Sequence, residues 1–469
     1  MADFTMTIDG QAAPTAGTFD VLNPATNERY AAAPECSPEQ LDAAMESAAK
    51  AYRDWKADEP ARREALRQAA GALMAASGEL APILVAEQGK PLSDANIEIL
   101  AAGMWLQYYA DLEVPREVIQ DDDSAFVEVV RRPLGVVAAI TPWNFPITLA
   151  SWKIAPALAA GNTLVLKPSP FTPLTTLKIG ELLRDVFPPG VLNVVSGGDD
   201  LGAWMTSHPV PRKISFTGSV TTGKKVAAAA APDLKRTTLE LGGNDPAILL
   251  DDVDAETAAD RVFRYAFANN GQICSAIKRV YVPEALYDDV VEALATQARA
   301  KKVGDGMAPD TELGPINNRP QFDRVSELVA DAVKGGARAV AGGKPMAGPG
   351  NFFEPTILAD VSDGTRIVDE EQFGPALPVI PYRDVDDAVE RANATHFGLS
   401  GSVWGGDADR AAQVAERLEC GTAWVNTHLA LAPHQPFGGA KWSGIGVENG
   451  PWGLYGFTEI QVVHRSKRI

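Results

Sequence analysis

From Leu134 onward, short apolar runs alternate with helical stretches, and this alternation restricts the possible folds more than any other feature of the chain. The runs Val136 to Ile140, Thr163 to Leu166, Val191 to Val195, Ile214 to Thr217 and Ala247 to Leu250 read as strands. Helices are predicted between them, including Leu174 to Val186 and Gly223 to Ala231. Strands joined through helices imply right-handed βαβ units and parallel sheets covered on both faces. The alternation restarts after Cys274, with Val280 to Val282 and then Leu286 to Ala300, which predicts a second α/β domain. Upstream, Leu41 to Gly89 reads as helices broken near Pro60 and Gly78 and packed on the first domain. A chain of 469 residues is also too long for one ordinary core, so two or three units are expected.

The net charge of −19 argues against nucleic acid or an anionic membrane surface as a partner, because both are bound through clustered Lys and Arg. A small anionic cofactor stays open, since local backbone N–H groups and one or two cations hold it. Three cysteines, Cys36, Cys274 and Cys420, lie far apart and do not suggest a disulfide framework, which fits a reducing compartment. His208, His396, His428, His434 and His464 show no metal-ligand spacing, so no metal is expected. The start Met1-Ala2-Asp3-Phe4-Thr5 has no basic region leading into an apolar run, and no apolar stretch is long enough to span a bilayer; a cytoplasmic protein is the expectation.

Cys274 stands in Asn269-Asn270-Gly271-Gln272-Ile273-Cys274-Ser275-Ala276-Ile277-Lys278-Arg279. The thiolate is the reactive form of cysteine, and it needs amides or positive charge nearby to exist at neutral pH. Asn269, Asn270 and Gln272 can donate, and Lys278 and Arg279 follow; a buried, inert thiol is the plain alternative. Glu240 lies 34 residues earlier in Thr237-Thr238-Leu239-Glu240-Leu241-Gly242-Gly243-Asn244, flanked by leucines. Apolar surroundings raise a carboxyl pKa and make a base suited to activating water.

Gly218-Ser219-Val220-Thr221-Thr222-Gly223-Lys224 follows a strand and opens a helix, and it meets most of the P-loop pattern. Lys225 occupies the place of the hydroxyl that would ligate magnesium, and an ammonium cannot do so. The strict G-x-G-x-x-G fingerprint is missing too. Farther on, Asp121-Asp122-Asp123 reads as a polar turn followed by an edge strand, Phe126 to Val130.

With these motifs in this order the chain resembles the NAD(P)-dependent aldehyde dehydrogenase superfamily, and the likeness runs through almost its whole length. Asn23-Pro24-Ala25-Thr26 is similar to the family's N-terminal turn, Pro142-Trp143-Asn144-Phe145-Pro146 to its oxyanion segment, and Lys167-Pro168-Ser169 to its ribose site. Phe216-Thr217-Gly218-Ser219 matches the pyrophosphate turn, Glu370-Glu371-Gln372-Phe373-Gly374-Pro375 the second ribose contact, and Pro436-Phe437-Gly438-Gly439 with Lys441 and Ser443-Gly444 the C-terminal signature.

The resemblance implies an α/β aldehyde dehydrogenase fold of two parallel-sheet domains and a β-strand oligomerisation arm. Residues 1–113 and 133–241 would bind the cofactor, 242–443 would form the catalytic domain, and 114–132 with 444–469 the arm, pairing between subunits of a homodimer or homotetramer. It implies oxidation of a small-molecule aldehyde to the acid, with Cys274 as nucleophile, Glu240 as base, Asn144 as oxyanion donor and Lys153 fixing the cofactor-side network. NAD or NADP would be held by Thr141, Pro142, Trp143, Lys167, Ser169, Pro170, Gly198, Gly202, Gly218, Ser219, Leu241, Glu371 and Phe373. Trp143, Phe145, Leu149 and Trp152 suggest an apolar aldehyde pocket, with plain core packing as the alternative.

The pattern departs from the family at Val447, where Arg is usual, and at Ala268, where several relatives carry an aromatic residue, so the substrate stays open. Pro170 replaces the glutamate by which NAD-selective relatives reject a 2′-phosphate, so NADP is expected to be accepted. A cysteine hydrolase or CoA-acylating enzyme, disfavoured by Glu240, and a non-catalytic relative are the competing classes. No G-x-S-x-G elbow suggests a serine hydrolase.

Overall fold

The computed structural model describes residues 4–15 and 17–468, so Met1 to Asp3 of the N-terminal stretch read above lie outside the described residues. Five parallel strands form the centre of the first sheet, in the order Arg236–Glu240, Lys213–Thr217, Val136–Ile140, Thr163–Lys167, Leu192–Val194. The chain starts at Val136–Ile140, winds outward to Leu192–Val194, and returns to the other flank at Lys213–Thr217. That reversal opens a crevice outside the carboxyl ends of Val136–Ile140 and Lys213–Thr217, where open α/β sheets bind their ligands. Residues 141–144 and 218–221 emerge there.

Met6–Ile8 and Gln11–Ala13 extend one edge of this sheet antiparallel, and Gly444–Ile445 covers the other by pairing with Leu239 and Glu240. Gly444–Ile445, read from sequence as part of the arm, is therefore in the large sheet, where it closes an edge that would otherwise expose unpaired backbone. Glu240 ends its strand, and after residues 241–244 the chain enters the second sheet at Asp245–Leu249. The second sheet runs Arg338–Ala341, Thr356–Ala359, Ala376–Tyr382, Ile277–Pro283, Asp245–Leu249, Ser400–Trp404, Thr422–Val425, parallel except for its first strand.

The helical region before the sheets divides into Pro38–Trp55, Glu59–Ala75 and Ser77–Gln88. Pro60 and Gly78 each fall in the first turn after a break, and the proline is tolerated there because the first helical N–H groups lack partners anyway. Ser37 and Gln40 form a capping box at the first of these helices. The helix predicted from Leu174 stops at Leu182, earlier than its apolar pattern suggests.

The third sheet corrects one expectation. Ala125–Pro133 lies in its centre, between Thr458–Ser466 and Glu117–Asp121, so Phe126 to Val130 is not an edge strand. The C-terminal strand pairs along its whole length within its own chain, from Thr458 opposite Pro133 to Ser466 opposite Ala125. That pairing, with a partner too distant in sequence for local patterning to reveal, occupies one side of the strand and leaves the other free.

Asn162 ties this C-terminal region to the first sheet. Its side chain is fully buried, accepting from Gly135 N at 2.9 Å and donating to the carbonyls of Ala157 at 3.1 Å and Phe457 at 3.0 Å. Asn162→Ala should lower the unfolding free energy by about 2–3 kcal/mol, because buried partners are left unpaired. Urea unfolding checks this, and an unchanged transition would show that those groups find other partners.

Candidate active site

The Cys274 loop is shaped by three successive left-handed residues, Asn269, Asn270 and Gly271, with φ of 48°, 56° and 73°. Asparagine and glycine carry that conformation at least cost, and a side chain at Gly271 would also collide with the Gly374 carbonyl. This turn sets Cys274, half-buried, in the wall of a cleft. Neighbouring amides pin the backbone: Gln272 Nε2 donates to Asn269 O at 2.9 Å, and Asn269 Nδ2 to Asn144 O at 3.1 Å. Asn144 Nδ2 donates to Gln272 O at 2.9 Å.

Asn269 and Gln272, expected to favour the thiolate directly, thus spend donors on carbonyls. Burial pushes the Cys274 thiol up to about 12; the Lys278 ammonium pulls it back, while Glu371, Glu240 and Asp245 add to the rise. Desolvation therefore outweighs the nearby cations in the chain by itself.

Glu240 is 3% exposed, and neither of its carboxyl oxygens has a hydrogen-bond partner among the described residues. Burial first, and then the Glu448 carboxylate, hold its pKa well above the ordinary carboxylate range, with Lys153 opposing. Lys153 lies in the interior and not along the cleft: its Nζ donates to Glu448 Oε1 at 2.9 Å and to Ser215 Oγ at 3.1 Å. Glu448 was not singled out from sequence; an acid just after Gly444-Ile445-Gly446-Val447 was the available signal.

The cleft has a volume of about 1090 Å³ and occupies the switch point of the first sheet. Pro142, Trp143, Asn144, Gly218, Ser219, Leu241, Cys274, Glu371 and Phe373 all line it. A side chain at Gly218 would meet the Phe216 ring at 2.5 Å, so only glycine permits this turn. Ser219 then caps the Val220–Ala230 helix by accepting from Thr222 N at 3.2 Å, and the helix opens its first turn to the cleft. Helix N-termini bind phosphate through such N–H groups. The buried hydroxyls of Thr141 and Thr217 have no partner among the described residues. With a glycine turn, an open helix N-terminus and apolar walls that include Trp143 and Phe373, this cleft fits a dinucleotide. Lys224, the lysine of the P-loop reading, instead lies 3.4 Å over the Trp442 ring.

Glu371 Oε1 accepts from Gly243 N at 3.1 Å, and Phe373 meets Trp143 edge-on at 5.3 Å between ring centres. Lys167, Ser169, Pro170, Gly198 and Gly202 do not line this cleft. Lys167 Nζ reaches only Pro168 O, at 3.3 Å, and burial pushes it down to about 8 against the pull of Asp199. Gly198 begins the Asp199–Ser207 helix beside a separate depression of about 850 Å³, and nothing packs where its side chain would be.

The four aromatic and apolar residues expected to surround the aldehyde do not form one wall. Trp143 faces the cleft, Phe145 lies 3.7 Å beneath the Lys90 ammonium, and Leu149 and Trp152 are core, with Trp152 between Trp105 and Phe437. Lys90 and Glu98 were likewise missed. The fully buried pair supports the Asn144 segment: Lys90 Nζ donates to Asn144 O at 2.9 Å, and Glu98 Oε1 accepts from Ile147 N at 2.8 Å and Thr148 N at 3.2 Å. Phe145, at the N-cap of that helix, has no side chain able to do this.

Comparisons agree with this geometry. The model of the aldehyde dehydrogenase family matches residues 12–463. A putative aldehyde dehydrogenase DhaS of Bacillus subtilis is 39% identical over 466 residues, covering 97% of this chain and 94% of the relative. Human retinaldehyde dehydrogenase 3 is 39% identical over 455 residues, covering 95% and 89%. The structure of an aldehyde dehydrogenase from Bacillus cereus in complex with NAD+ superposes with a TM-score of 0.97 at 36% identity, covering 99% of this chain and 97% of that one.

The burial of Glu240 predicts a pH effect on stability. A carboxyl whose folded pKa is raised binds more protons folded than unfolded, so stability falls as pH rises from the unfolded value of 4.5 through the folded pKa. Glu240→Gln removes this loss. The variant should gain thermal stability relative to wild type as pH rises above the ordinary carboxylate range, a gain absent in acid. A difference independent of pH would contradict the burial of an ionisable group.

Proposed function

The chain belongs to the aldehyde dehydrogenase family and is an NAD(P)-dependent enzyme of it, and on that premise we propose that Cys274 is the nucleophile and Glu240 the base. The observation that carries this is the pair itself: a thiol in the cleft wall, and a buried, unpartnered carboxyl close enough for its charge to act on that thiol. As the thiolate, Cys274 attacks the aldehyde carbon to form a thiohemiacetal. Its oxyanion is met by the Asn144 side-chain amide and by the Cys274 N–H, which makes no backbone hydrogen bond among the described residues.

NAD(P)+, when bound, supplies the hydride acceptor that turns the thiohemiacetal into a thioester. Gly218, Ser219 and the helix that follows would hold the pyrophosphate, with Glu371 at one ribose and Lys167, at the carboxyl end of the strand beside Val136–Ile140 and behind the cleft wall, at the other. Glu240 then takes a proton from water as it attacks the thioester; the C–S bond breaks, the carboxylic acid leaves and the Cys274 thiolate returns. Burial sets the high proton affinity of Glu240, and the Lys153–Glu448 pair adjusts it, its two charges acting on that carboxyl with opposite sign.

A homodimer or homotetramer is supported by the outer edges of the third sheet, where Val118, Ile119, Ile460 and Val462 are exposed apolar residues on strands with a free side. The free thiols Cys36, Cys274 and Cys420 support work in a reducing compartment, the cytoplasm being our proposal.

Four outcomes test this reading. Cys274→Ala should abolish aldehyde oxidation while cofactor binding persists, and Asn144→Ala should reduce turnover by about 10²-fold; substantial turnover by the first would remove Cys274 from the mechanism. Pro170→Glu should lower kcat/KM for NADP+ relative to NAD+, since a like charge rejects the 2′-phosphate. An unmoved ratio would take Pro170 out of cofactor choice. In sedimentation the wild type should run as a dimer or tetramer and Ile460→Lys with Val462→Lys as a monomer, whereas a wild-type monomer would refute the assembly.

A further inference from the structure

Lys278 is the second residue of the buried strand that follows the nucleophile loop, and its side chain is 2% exposed. An ammonium has three protons to donate. Here its Nζ lies 2.8 Å from Ile273 O, 2.6 Å from Cys274 O and 3.5 Å from Glu371 Oε1. All three proton sites are thus directed either at the backbone of the nucleophile loop or at the carboxylate facing the cofactor cleft. A leucine would satisfy the same core position without the desolvation of a charge, which makes the cation's presence a matter of what it holds.

Charged groups surround it on every side. Asp245 approaches from the adjacent parallel strand and Glu371 from the loop after the Arg366–Asp369 helix, while Glu240, from the first sheet, acts on Cys274. Arg324 touches Glu371 from behind, donating to its carbonyl at 3.0 Å. Arg279, next on the strand, turns instead to Asn244 O at 2.8 Å. His428, whose ring lies 2.7 Å from Ser275 O, is held neutral by burial, its pKa pushed down to about 3. Three carboxylates therefore oppose a negative charge on Cys274, and Lys278 is the cation bonded to that residue itself.

We propose that Lys278 is a positioning residue for the nucleophile: its ammonium ties the Ile273 and Cys274 carbonyls to Glu371, so that thiol reactivity and the placement of Glu371 depend on one buried cation. The inference rests on Cys274 being the nucleophile. That premise is tested separately by the turnover of Cys274→Ala, whereas the readout below follows the thiol alone.

The experiment is the rate at which iodoacetamide modifies Cys274 in the full-length enzyme, read by peptide mass spectrometry across pH. In Lys278→Met the rate profile should move to higher pH, with the rate near neutrality reduced about tenfold, the equivalent of one pKa unit. Turnover should fall with it and recover as pH is raised. In Glu371→Gln the profile should move to lower pH, because an opposing carboxylate is gone while Lys278 remains. Both substitutions break the same ion pair, and mere loosening of the loop would expose the thiol and shift both profiles downward. An unmoved or lowered profile in Lys278→Met overturns the proposal. If that variant does not fold, an unmoved or raised profile in Glu371→Gln overturns it equally.

Discussion

Ionisable side chains buried where the first sheet hands the chain to the second are the constraint the rest of the molecule has to meet. Glu240, Glu448, Lys153 and Lys278 are withdrawn from bulk water, and Glu371, partly exposed, lines the cleft beside Lys278. Water would hold each charge more cheaply, so such a cluster persists only if the surrounding fold fixes every partner. The two parallel sheets do this by geometry. Glu240 ends one strand, residues 241–244 cross over, and Asp245 begins the next, so a carboxyl from one sheet acts on the thiol that precedes a strand of the other without a flexible linker between them.

A single turn between two helices braces the cleft on the opposite side. Glu87 closes the Ser77–Gln88 helix and caps another, accepting from Leu174 N at 2.6 Å and Thr175 N at 2.9 Å. Lys90, beyond Gly89, reaches Asn144 O and Glu98. Asn317 Nδ2 donates to the Glu87 and Gln88 carbonyls at 2.9 and 3.2 Å, joining this turn to the segment after the second group of helices. Helix ends carry unsatisfied N–H groups that a buried acid can answer, and here the answers come from residues far away in sequence. The Asn144 amide is therefore held by a network that spans both sheets.

The sequence carried the alternation of strands and helices, the two sheets and the line-up of Cys274, Glu240 and Asn144, because period, length and turn residues are local signals. Pairings across long separations were not legible. Phe126 to Val130 looked like an edge until Thr458–Ser466 covered it, and the C-terminal strand found its partner in its own chain. Charge was misjudged for the same reason: Lys278 and Arg279 stand side by side in sequence, yet one holds the nucleophile loop and the other turns to Asn244. Trp143, Phe145, Leu149 and Trp152 were grouped by proximity along the chain, and the helix beginning at Pro146 sends them to different surroundings. Lys90, Glu98 and Glu448 matter through what they touch in space, which no motif records.

The central claim is that a thioester on Cys274 is hydrolysed with the help of Glu240. Glu240→Gln, mixed with NAD(P)+ and an aldehyde and quenched in acid during the first turnover, tests it most directly by mass mapping of the Cys274 peptide. The account requires the acyl group of the substrate on that peptide, accumulating as reduced nicotinamide appears and removable by hydroxylamine. Reduced nicotinamide forming with no acyl group on Cys274 would contradict it.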